Sequence, residues 1–343
     1  MSTFPMGIVN FGAFTLQAAQ LIQAAIAKAG FGTTGNIFYC DPVNGLDTND
    51  GLTAAVTPGG HGPVQSLAAG YALLRSGFND ALVLIGNGQS TGSARITTFT
   101  WSKNAAHLFG ICAPSAVSQR ARIATPLTAG LVITANFFTV SGNGCLFSNL
   151  SWFQGAAANQ TGIAAAILMT ITGVRNVFAN CDFEGMGDTT ASVSSTSRNL
   201  LISGGGQENA FYHCNIGLDT VQRTNANASV EFQNGSTRNV FEDCTFPIDS
   251  SDGNQFFLLA NAASSVDRYN LFKRCAFLNA IQSGSTALTG AIKMVAAAGG
   301  MIVLMDCLSV GSTSLGADAT SKGQIYIYGP TAAQGAYLAD NPS

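Results

Sequence analysis

The chain has 343 residues, enough for a sizeable core without a disulfide staple, and only 10% of them are charged, against a usual quarter. A net charge of −3, with 15 scattered Lys and Arg, leaves no basic stripe and excludes nucleic acid as a direct partner. No apolar run reaches the roughly 18 to 20 residues of a membrane span, so no membrane partner is expected either.

In chain order, the first predicted element is a helix from Thr15, as N-cap, to about Ala29, stopped by Gly30. The AKA before Gly30 has the look of a signal cleavage site. There is no basic region ahead of it, however, and Gln17, Gln20 and Gln23 interrupt the apolar stretch, so no secretion signal is expected. A strand, NIFYCD, follows, and then a turn-rich loop, DPVNGLDTNDGL, at Asp41–Leu52. A short helix over about Ser66–Arg75 leads into the strand ALVLIGNG at Ala81–Gly88. The helices near the start are the predicted caps of a repetitive structure whose open end would otherwise expose core and backbone.

The repeat itself is an aromatic residue or Leu, two residues, then Cys. It occurs at Phe109–Cys112, Phe178–Cys181, Phe211–Cys214, Phe241–Cys244, Phe272–Cys275 and Leu304–Cys307, with Phe147–Leu150 carrying Leu in the cysteine slot. The slots 112, 150, 181, 214, 244, 275 and 307 are separated by steps of 38, 31, 33, 30, 31 and 32. Upstream of the slots lie Ile163–Ile171, Arg198–Ser203, Ser229–Gln233, Phe256–Ala260, Ala291–Ala296 and, last, Gln324–Tyr328. These runs are short, bounded by turn formers and without helical period, so they read as strands. A helix-free period of about 31 residues fits one coil of a parallel β-helix. The predicted organisation is an N-terminal helical and anchoring segment over 1–35, an all-β parallel β-helix of eight or nine coils over 36–330, and a tail over 331–343.

From YCDPVNGLDTNDGL through GPVQSLAAGYALL and ALVLIGNG to coils with stacked Asn, Cys and Phe, the chain resembles the right-handed parallel β-helix proteins of the pectate-lyase-like superfamily. More narrowly, it resembles the virion proteins of tailed bacteriophages that use this fold. The resemblance covers about Asn36 to Tyr328 and implies a fold that carries lyases, hydrolases, spikes and plain structural parts alike.

Cys181, Cys214, Cys244, Cys275 and Cys307 recur once per coil, so they are expected to form an interior column about 4.8 Å apart. Small buried apolar packing accounts for them. Zinc needs converging ligands, not one per coil in a straight row, so no metal and no cofactor is expected. Cys40, Cys112 and Cys145 carry no further signal.

Three carboxylate pairs could supply an acid and a base: Asp182 with Glu184, Glu242 with Asp243, and Asp249 with Asp252. Aligning the coils on the cysteine slot offers another account for several of them. It places Arg274 between Asp243 and Asp306, and Lys273 beside Glu242, one coil apart, as a structural charge ladder. Polygalacturonase-like hydrolases of this fold carry Asn-x-Asp, Asp-Asp and Gly-His-Gly on consecutive coils. This chain has its GHG at Gly60–Gly62, ahead of the coils, and no Asp-Asp pair, so His61 reads as a loop histidine. Asp47, Asn49 and Gly51 faintly echo an EF-hand loop, but Pro58 stands where the closing Glu belongs.

The expectation is therefore a non-enzymatic, phage-virion structural protein. It would be a homotrimeric decoration or cement protein on the outer surface of the particle, in contact with the major capsid protein. The alternative is a tailspike or receptor-binding β-helix that binds or cleaves host polysaccharide.

Overall fold

A computed structural model describes residues 35–112, 121–157, 159–280 and 284–328, together with the strand Tyr337–Leu338. The described chain is an all-β solenoid with a coil of about 31 residues. Its strands stack into three sheets of eleven, nine and seven members. Every pairing within the three sheets is parallel except the last, where Tyr337–Leu338 runs antiparallel to Ile325–Tyr328. About seven coils carry a strand in all three sheets, fewer than the eight or nine expected. The difference lies at the ends, where the first sheet continues over incomplete coils.

One coil shows how the sequence makes the turn. Val177–Ala179 lies in the first sheet with Phe178 inward, Asn180 adopts a left-handed conformation at φ 53°, and Cys181 turns in. Asp182–Glu184 then runs in the second sheet with Phe183 inward, and Arg198–Ile202 closes the coil in the third with Leu200 and Ile202 inward. The left-handed residue recurs before each slot, at Asn149, His213, Asp243, Arg274 and Asp306. A non-glycine residue there costs roughly 1 kcal/mol, so stacking must hold each turn in place.

The core supplies that stacking. Phe147, Phe178, Phe211, Phe241 and Phe272 form one column, with centroids 4.4 to 4.8 Å apart and planes within 8° of parallel. Beside it, Asn176, Asn209, Asn239 and Asn270 form a buried amide column. Each Oδ1 of Asn209, Asn239 and Asn270 accepts the backbone N–H of the asparagine one coil earlier, at 2.9 to 3.1 Å. The Nδ2 of Asn239 donates to Asn270 Oδ1 at 2.9 Å and to the Gly206 carbonyl at 3.2 Å. Cys145 stands in this column one coil before Asn176, and its N–H donates to Asn176 Oδ1 at 2.8 Å.

The helix Leu67–Leu73, capped by the Ser66 hydroxyl, sits at the first coil, between the first-sheet strands Ile37–Cys40 and Asp80–Ile85. Leu67 joins the core, and Tyr71 packs on Phe99 and Trp101 of the coil above, so the predicted second helix closes this end. The predicted helix from Thr15 lies outside the described residues.

Two repeat assignments are corrected. Leu108, not Phe109, pairs with Phe147, so Phe109 points outward, and Ala121, not Cys112, stands opposite Leu150 in the cysteine slot. The final run, Ile325–Tyr328, belongs to the first sheet and not to the upstream strand series, because it pairs with Met301–Met305. In its coil the short helix Ala319–Lys322, capped by Asp318, replaces a third-sheet strand.

Candidate functional site

The recurring cysteines are held alike. Cys181, Cys214, Cys244, Cys275 and Cys307 each donate from Sγ to the carbonyl two residues before and to a first-sheet carbonyl in the preceding coil. That second carbonyl belongs to Phe147, Phe178, Phe211, Phe241 or Phe272 in turn. None of the five is in a disulfide; four are buried and Cys307 is half-buried at the last coil. Burial pushes the Cys214 and Cys244 thiols well above their ordinary range, which keeps them protonated and poorly nucleophilic.

On the outer edge of the same turns, Arg274 bridges two carboxylates. Its Nε and Nη2 reach Asp243 at 2.8 and 2.9 Å, and Nη2 reaches Glu242 at 2.6 Å. Arg274 beside it holds the Asp243 carboxyl below its usual range. His213 approaches Asp243 from the other side at 3.8 Å. Lys273 pairs with Glu242 in register, but the ion pair goes to Arg274. No ion pair of Lys273 or Asp306 within 4.0 Å occurs among the described residues. A second column, not singled out in the sequence, joins Arg175 and Arg238 to the two oxygens of Glu208, at 2.6 Å each.

Asp182 and Glu184 flank the inward Phe183, so both leave the outer face of the second sheet, about 7 Å apart by strand geometry. Arg122, two coils earlier, reaches Glu184 at 3.5 Å, and its guanidinium lies 4.4 Å above the Phe153 ring. Burial lowers the Arg122 pKa, opposed by Glu184 and Asp182. The separation suits an acid and a base acting through water. Yet Asp182 is fully buried and Glu184 only 2% exposed, so the trio offers a substrate no open approach. Asp249 accepts from Ser285 at 2.6 Å, whereas Asp252 closes a turn on Asn254 at 2.9 Å; they serve separate loops.

The loop before the coils holds itself. Asp41 accepts from the N–H groups of Val43 and Asn44, and Asp47 from those of Gln65 and Ser66 at the start of the capping helix. His61 pairs with Asp50 at 2.5 Å. The carboxylates of the EF-hand-like stretch are thus engaged with backbone and histidine.

An open groove of about 830 Å³ runs along the outer face of the third sheet. Leu201, Phe256 and Leu259 give it an apolar lining, and Asn225, Asn254 and Asn261 add amides. Arg198 and Glu231 meet there at 2.7 Å, with side chains only 5% and 9% exposed. Arg198 Nη1 also donates to the Ser195 and Ser197 carbonyls, and Gln233 donates to the second oxygen of Glu231. Lys293, in the same lining, pairs with Asp318. The groove's charges are therefore matched internally. Sequence reasoning missed this pair, whose members stand 33 residues apart, about one coil.

No family model and no curated protein matches the chain. Among solved structures it is similar to pectate lyase Pel9A, with 14% identity, a TM-score of 0.46, and coverage of 84% of this chain and 76% of that one. It is similar to pectin methylesterase PemA from Erwinia chrysanthemi, with 14% identity, a TM-score of 0.45, and coverage of 88% and 91%. It is also similar to ORF18 of Geobacillus virus E2, with 10% identity, a TM-score of 0.36, and coverage of 93% and 64%. The activities named for the first two belong to those proteins.

Proposed function

We propose that this chain is a non-catalytic structural β-helix of a tailed-phage virion, acting as a self-associating, homotrimeric decoration or cement protein on the head. The observation that supports the non-catalytic reading is where six of the coils' carboxylates stand. Glu242, Asp243 and Glu208 are tied to arginines, Glu231 is locked to Arg198, and Asp182 and Glu184 are buried. Acid and base catalysis needs a proton-carrying group within hydrogen-bond reach of a substrate. The virion assignment rests on the sequence resemblance. Its test is co-sedimentation of the purified protein with capsid shells bearing the major capsid protein: saturable binding supports it, and binding to tails alone or to neither sinks it.

The second reading, a β-helix that binds or cleaves host polysaccharide, is favoured by one observation, the amide-lined groove beside Phe256 on the third sheet. Asn254→Ala with Asn261→Ala separates the two readings. Loss of polysaccharide retention on an affinity gel would favour the second, and unchanged shell binding the first.

A further inference from the structure

The outward face of the first sheet carries a straight apolar strip. Side chains alternate across a strand, so with Phe178, Phe211, Phe241 and Phe272 inward, the residues beside them point out. The register aligns Val177, Ala210, Val240, Leu271, Val303 and Tyr326 on six successive strands, with no charge among them. All six are half-buried, and Tyr212, Tyr269 and Tyr328 beside them are 36 to 41% exposed. At the other end of the same face the chain covers the strip itself: Tyr39, Ala81, Val83 and Phe109 are buried in a cluster that includes Ala54 of the preceding loop. The covered strip thus continues, bare among the described residues, from Val177 onward.

We propose that this strip is where copies of the chain meet one another. Three features favour a second copy as the occupant. The strip repeats at the strand spacing of about 4.8 Å, and another copy of the same strip has that period by construction. Its central column is uncharged, and the charges flanking it, Glu242 and Asp243 with Arg274 on one side and Glu208 with Arg175 and Arg238 on the other, are matched within the chain, with Lys273 at the edge. The outer faces of the other sheets carry Arg122, Asp182 and Glu184, or the buried pair Arg198 and Glu231 with Lys293. Finally, six strands by two outward residues give about 450 Å² per copy, about 900 Å² in total and just under the roughly 1,000 Å² of a specific interface. Such an area predicts association that depends on concentration. The inference rests on the reading of the chain as a self-associating rod and adds the face by which it does so.

The test is sedimentation of the full chain over a concentration series. It compares the wild type, a Val240→Thr, Leu271→Gln, Val303→Thr variant, and Thr170→Gln on the third sheet's outer face. The strip variant is expected to raise the dissociation constant about thirtyfold or more, and Thr170→Gln to leave it unchanged. Native far-ultraviolet dichroism is required of each variant; if the triple variant fails to fold, Leu271→Gln alone is read in the same way. Unchanged association of the folded strip variant would overturn the face assignment and leave the self-associating rod standing. A wild type monomeric at every concentration would overturn both. Association that appears only after residues 1–34 are removed would identify that segment, not a second copy, as the occupant.

Discussion

Asn239→Ala probes the amide column at its best-connected member. The Asn239 side chain accepts from Asn209 N–H at 3.0 Å and Asn209 Nδ2 at 3.1 Å, and donates to Gly206 O and Asn270 Oδ1. Truncation leaves the Asn209 N–H and the Gly206 carbonyl without their partners in a region closed to water, since Asn209 is 1% exposed and Gly206 is buried. At about 1 to 3 kcal/mol for each orphaned buried group, the expected loss is about 4 kcal/mol. Its half-buried neighbour Arg238, changed to Ala, gives up a partly exposed ion pair and is expected to lose less than about 1 kcal/mol. The assay is urea unfolding combined with native-state hydrogen exchange at Asn209, because coils open locally in a solenoid. A loss below about 1 kcal/mol for Asn239→Ala, with Asn209 still protected, would mean that the amide column does not hold the coils.

Cys181→Ala removes one small buried thiol and is expected to cost about 1 kcal/mol without changing shell binding, checked by the same unfolding and sedimentation assays. In the native protein, a thiol reagent is expected to react with the half-buried Cys112 and Cys307 well before Cys181, Cys214, Cys244 and Cys275. Arg274→Ala, on an exposed ladder, is expected to change stability by less than about 1 kcal/mol, whereas Glu231→Ala strands the buried Arg198 and is expected to cost about 3 to 5 kcal/mol. Burial pushes the His107 pKa down to about 4 from its ordinary 6.5. The unfolded chain therefore takes up this proton first, and stability falls as pH drops from about 6.5 to about 4. The loss reaches about 3 kcal/mol and should be absent in His107→Gln, as melting curves across that range would show.

Where the sequence forced one arrangement, it was readable. The cysteine beat marks the coil because Phe178, the left-handed Asn180 and Cys181 form a single turn that only stacking can hold. The same beat misled at Phe109–Cys112. There the strand Ala106–Ile111 is apolar at nearly every position, so alternation cannot say which residues point inward, and a shift of one residue reverses the face. The strand Ile325–Tyr328 was recognisable as a strand, but its sheet depends on a helix, Ala319–Lys322, standing in for the missing third-sheet strand. Arg198 and Glu231 meet diagonally between adjacent coils. Their contact is set by the loop lengths between them, and nothing local in either segment announces it. Arg223 was equally silent: it is 1% exposed, with one bond to Ser229 at 3.3 Å, and burial lowers its pKa to about 9.

On the proposed reading Asp182, Glu184, Glu208, Glu231, Glu242 and Asp243 are structural and the protein turns over no polysaccharide. Incubating the purified oligomer with host capsular polysaccharide and lipopolysaccharide tests it most directly, with new reducing ends and the ultraviolet absorption of unsaturated uronates followed over time. Neither signal is expected above the rate without protein. Sustained release of oligosaccharides, abolished by Glu184→Gln or Glu231→Gln in a folded variant, would contradict it.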